Sequence, residues 1–111
     1  MNSQEIKQFL FKKLVDERAF WSYDMSAVTS IPDDMLIAET LIHLDIEEIN
    51  LLFKVFSKQK IKSVWLDQLV VQGKYYGDMN RLYAWFYFDI KKPERYLKSM
   101  ITRHYTKLSK L

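Results

Sequence analysis

The chain of 111 residues contains no cysteine. That excludes disulfides, thiolate zinc sites and cysteine nucleophiles together, and it suits a reducing compartment. Glycine and proline number two each. So few turn formers argue against a β-sandwich or barrel, and no GxGxxG or P-loop phosphate cradle can be assembled from two glycines. Histidine is equally scarce, with His43 and His104 far apart in sequence and no HExxH spacing. Neither a metal site nor a cofactor is expected from that inventory. No run approaches the roughly 18 consecutive apolar residues of a membrane span. The opening "MNSQEIKQFLFKK" has charges among its apolar residues, unlike a secretory signal, so a cytoplasmic location is expected.

Apolar residues make up 49% of the chain and aromatic ones 15%. The length fits one domain spanning 1–111, long enough to bury a real core. The fold class expected is all-α: a single compact bundle of five or six helices with an aromatic-rich core.

Apolar spacing marks the helices. A first helix runs from about Ser3, its N-cap, to Glu17, with Ile6, Phe9, Leu10 and Leu14 on one stripe. The stretch "RAFWSYD" at 18–24 follows, with Phe20 and Trp21 expected to fold back and plug the side of the bundle, and Tyr23 and Asp24 to form a polar turn. Ser30 reads as the start of a second helix, with Pro32 and two aspartates in its first turn, running to about Leu44. Asp45 reads as the N-cap of a third helix over 46–57. Ile61, Val64, Trp65 and Leu69 define a fourth, stopping near Gly73. After a turn and cap at Gly77-Asp78, Met79, Leu82, Tyr83, Phe86 and Ile90 make a helical stripe. Trp85, Tyr87 and Phe88 add apolar surface on the remaining sides, which marks a central, buried helix. A strand over "WFYFDI" is the rival reading, because aromatics favour strands; cap and period together favour the helix. Pro93 opens a basic C-terminal helix over about 93–110, with Leu97, Ile101, His104 and Leu108 on one arc.

Charge is unevenly distributed along the chain. Residues 1–50 hold four basic against ten acidic side chains, net −6; residues 91–111 hold seven against one, net +6. Such a field steers charged partners but says nothing of fold.

No catalytic constellation emerges. Asp33–Asp34 and Glu47–Glu48 are neighbours that diverge by about 100° on a helix, and their places at helix starts account for them. His104 reads as a packed core histidine and His43 as a partner of a helix C-terminus. Tyr75, Tyr76, Tyr83, Trp85, Tyr87 and Tyr96 stand among basic residues, a composition that can clamp single-stranded nucleic acid but at helical spacing reads mainly as core. The helices over 46–57 and 60–72, joined by "SKQK", have the order of a helix-turn-helix without its usual glycine; Lys60, Lys62, Ser63, Asp67 and Gln68 would do the reading. Lys58, Lys60, Lys62, Lys91, Lys92, Arg95, Lys98, Arg103 and Lys107 are the candidate nucleic-acid contacts.

"FWSYD", "IPDDMLIAETLIHLDIEEINLLFKVFSKQKIKSVW" and "NRLYAWFYFDI" together resemble a small bacterial helical domain family of unknown function. Its members open on a Phe-Trp pair followed by an acidic residue. An acidic step, here Leu44 to Glu48, a Lys60-Ile61-Lys62 restart and an aromatic segment over Leu82 to Ile90 follow. The resemblance covers about 20–95. It implies an antitoxin or accessory role beside a nucleotidyltransferase-type toxin, with no catalytic residues. The expectation is therefore a non-enzymatic interaction module with a protein partner; the alternative is a helix-turn-helix-like regulator that binds nucleic acid through the basic C-terminal half.

Overall fold

A computed structural model describes residues 2–20 and 28–109, with only the backbone at 73 and 74. Among the described residues there are six α-helices: α1 (Ser3–Asp16), α2 (Asp33–His43), α3 (Ile46–Val55), α4 (Lys58–Gln68), α5 (Gly77–Phe86) and α6 (Pro93–Ser109). A 3-10 helix, Val70–Tyr76, joins α4 to α5, and no strand occurs among the described residues. The fold class is all-α, as the periodicity predicts. By its contacts the chain divides into two compact units, Met1–Ile61 and Lys62–Leu111, and the division falls within α4.

In the first unit, α1 packs on both α2 and α3. Ile6, Leu10, Phe11 and Leu14 form the buried arc of α1, and Leu36, Ile37, Leu41, Ile49 and Leu52 meet them from the other two helices. Phe9, expected on that arc, lies at its flank and is part-exposed, with the Lys13 ammonium 5.5 Å from its ring centroid. The cap of α1 is Asn2 rather than Ser3: its side-chain oxygen accepts from the Glu5 N–H at 2.8 Å. The second helix begins later than Ser30 suggests. Ile31 precedes a proline and is pushed toward extended backbone, so Pro32 serves as N-cap and Asp33 and Asp34 form the first turn.

The junction after α1 has a definite geometry. The Ala19 N–H bonds to the Leu14 carbonyl and the Arg18 N–H to the Val15 carbonyl, each at 3.0 Å. That pair of bonds is a Schellman motif, which needs a left-handed residue between helix and loop. Arg18 supplies it, with φ 58°. Phe20 then turns back into the core, its ring stacked 6.3 Å from that of Phe11. The expected plug is therefore real for Phe20, while Trp21, Tyr23 and Asp24 lie outside the described residues. Because glycine adopts this conformation without steric cost, Arg18→Gly is expected to raise stability by about 0.5–1 kcal/mol, read as a higher urea midpoint at constant slope.

The second unit is organised around Trp65. The residue is fully buried, with Phe88 stacked on one side at 4.8 Å and Tyr96 nearly parallel at 6.5 Å between centroids. Its indole N–H donates to Asn80 Oδ1 at 3.0 Å, and the Asn80 amide donates to the Leu69 carbonyl at 3.3 Å. One buried amide thus joins α4, the chain leading out of it and α5. The fourth helix stops before Gly73, at Gln68, and tightens into the 3-10 helix from Val70.

Candidate interaction surface

The fifth helix departs from the sequence expectation in a way that bears on function. It is ten residues long and buries one stripe, Asn80, Tyr83 and Ala84. Leu82, Trp85 and Phe86 are 49%, 62% and 50% exposed, respectively. A central, all-round buried helix is therefore not what forms, and Phe86 is not core. Apolar residues on every side leave periodicity unable to say which side packs; Asn80, bonded to Trp65 and the Leu69 carbonyl, fixes the rotation of α5 and turns the three large side chains outward.

At successive 100° steps, Leu82, Trp85 and Phe86 span about 100° of the helix circumference. Trp85 and Phe86 rings lie 6.3 Å apart, and Phe86 meets Tyr87 edge-on at 4.9 Å. Burial raises the Tyr87 phenol above its ordinary range. An Arg81–Asp78 ion pair borders the apolar surface. The helix ends at Phe86 and is followed by a turn at 87–88, so the rival strand over "WFYFDI" does not form. Asp89 takes φ 53°, and the Ile90 N–H returns to the Ala84 carbonyl at 3.0 Å.

The remaining aromatics divide between core and surface. Tyr83 is buried; Tyr96 is half-buried, with the Lys62 ammonium 5.4 Å from its ring centroid. Tyr75 is 80% exposed and meets Tyr76 edge-on at 4.8 Å. The reading of these rings mainly as core therefore fails for Tyr75 and Trp85.

The candidate basic residues are divided between the two units. Lys58 and Lys60 belong to the first unit, the remainder to the second. Lys60 is 2.6 Å from Asp34 Oδ1, and that hydrogen bond holds its ammonium above the ordinary range. Lys91, Lys92, Arg95 and Lys98 are exposed. Arg103 and Lys107 line a separate groove with Leu66, Val71, Met100 and His104.

The acidic pairs have structural partners. Lys7 lies 3.2 Å from Asp33 and Lys13 3.1 Å from Glu48 Oε1. The Glu48 hydrogen bond raises the Lys13 ammonium pKa, while Glu48 Oε2 is buried without a hydrogen-bond partner among the described residues. His43 lies in the last turn of α2, as expected, but its Nε2 pairs with the Glu39 carboxylate at 3.1 Å rather than with the helix end. Burial raises the Glu39 carboxyl pKa, against the opposing pull of His43. His104 is half-buried, edge-on to Tyr105 at 5.6 Å. Among the described residues no cluster of three or more His, Asp or Glu side chains could hold a metal, and no helix is long and apolar enough to cross a membrane.

The chain matches no protein-family model, no curated protein and no solved structure.

Proposed function

We propose that the chain is a non-enzymatic interaction module that docks a protein partner through Leu82, Trp85 and Phe86 of α5. The observation that carries this reading is the exposure of three large apolar side chains at i, i+3 and i+4 on one helix. That spacing is how an amphipathic helix presents anchors to a groove, and water-exposed apolar clusters of this kind mark interaction sites. Trp85 is the anchor expected to dominate, since tryptophan is enriched among binding hot spots. The partner proposed is the nucleotidyltransferase-type toxin that the family resemblance implies, held stoichiometrically so that its site is blocked or positioned.

The test is co-purification with a nucleotidyltransferase-type protein encoded beside this gene. A one-to-one complex is expected, weakened at least about tenfold by Trp85→Ala or Leu82→Ala. The free protein's thermal melt stays within about 0.5 kcal/mol of the parent, because both side chains face water. A complex indifferent to both substitutions removes α5 as the docking face. A homodimer dissolved by Trp85→Ala would instead make the partner a second copy.

A further inference from the structure

The face of α6 on the other side of its buried stripe from Lys98 closes a groove whose chemistry differs from that of α5. About 560 Å³ in volume, it is lined by Leu66 and Asp67 of α4, Val71 of the 3-10 helix, and Met100, Arg103, His104 and Lys107 of α6. The volume is within the roughly 300–1,000 Å³ of small-ligand sites. Leu66, Val71 and Met100 supply an apolar floor. Arg103 and Lys107 stand one helical turn apart on its rim, where four-residue spacing places both cations over the same space. Neither is held by an ion pair among the described residues, and Asp67 is the one carboxylate in the lining.

We infer that this groove binds a nucleoside phosphate, with the base on the floor formed by Leu66, Val71 and Met100 and the phosphate between Arg103 and Lys107. Two cations suit a multiply charged anion better than a single carboxylate. Arg103 offers a fork of donors and Lys107 a point charge, the two complementary ways side chains hold phosphate. The flat ring of His104, braced edge-on by Tyr105, and the polarizable thioether of Met100 suit a planar aromatic body. Asp67 faces the site from α4 and offers an acceptor for an exocyclic amine while repelling a misplaced phosphate. The inference does not depend on the α5 docking face, which shares no residue with this groove.

The source of the nucleoside phosphate is either a free nucleotide or one unit of a single strand, and the test separates them. Titration calorimetry at low salt uses AMP, a short oligoadenylate and uncharged adenosine. Saturation by AMP identifies a free nucleotide; binding by the oligomer alone identifies a strand. In either case the Arg103→Ala/Lys107→Ala pair is expected to weaken binding at least about tenfold. Arg95→Ala/Lys98→Ala, which removes the same charge from another face of α6, leaves it within about twofold. Val71→Trp and Met100→Trp fill the floor without changing charge; whichever retains parental helicity should also lose binding. The inference is overturned if neither AMP nor oligomer binds at millimolar concentration, if adenosine binds as well as AMP, if the two alanine pairs weaken binding equally, or if a folded floor-filling variant binds normally.

Discussion

Trp65→Ala is expected to cost about 3–5 kcal/mol, the range for removing a large buried aromatic side chain. At roughly 4–8 °C per kcal/mol for a domain of this size, the melting temperature falls by more than about 12 °C. Against a total stability of about 5–15 kcal/mol for a native protein, that loss leaves the fold marginal. Three losses combine. The stacks on Phe88 and Tyr96 disappear, a cavity opens where exposure is zero, and Asn80 Oδ1 loses its donor. Trp65→Phe separates them: it keeps an apolar ring but strands the buried amide oxygen, at about 1–3 kcal/mol. Urea unfolding followed by far-UV circular dichroism provides the measurement. A Trp65→Ala midpoint equal to that of the parent would refute the packing described for this unit.

The second large effect is in the other unit. Leu10 is fully buried at the middle of α1, on the helix that packs against both α2 and α3. Leu10→Ala is expected to cost about 2–5 kcal/mol, the spread reflecting how far the neighbouring side chains collapse into the gap. Gln8→Ala is the control: it is exposed two residues away on the same helix and should move stability by no more than about 0.5 kcal/mol. Equal midpoints for the two variants would show that α1 is not held by its apolar arc.

Much of this architecture is legible in residue order. The 3.6-residue spacing of Ile6, Leu10 and Leu14, the acidic first turns at Asp33-Asp34 and Glu47-Glu48, and Pro93 at the first position of α6 each report a local preference that the fold obeys. What stays hidden depends on long-range partners. The role of Asn80 emerges only when Trp65 and the Leu69 carbonyl are placed beside it. The Schellman motif after α1 is invisible because an arginine occupies the left-handed position that glycine usually announces.

The candidate surface was obscured for a related reason. When Leu82, Trp85, Phe86 and Tyr83 are all apolar, periodicity finds the helix but not its orientation; the bond to Asn80 decides that. The groove on α6 needed the fold as well. Arg103 and Lys107 look like two members of a diffuse basic set until Leu66 and Val71, more than thirty positions earlier, are brought beneath them.

The contrast between Trp65, sealed from water, and Trp85, 62% exposed, gives these two of the chain's three tryptophans different optical environments. Trp65 should emit toward the blue and resist iodide, while Trp85 should emit toward the red and be quenched. Trp85→Phe isolates its share of the emission by difference. Anything that covers α5 will therefore report itself as a blue shift and a loss of quenching in that share alone, without a dye or tag.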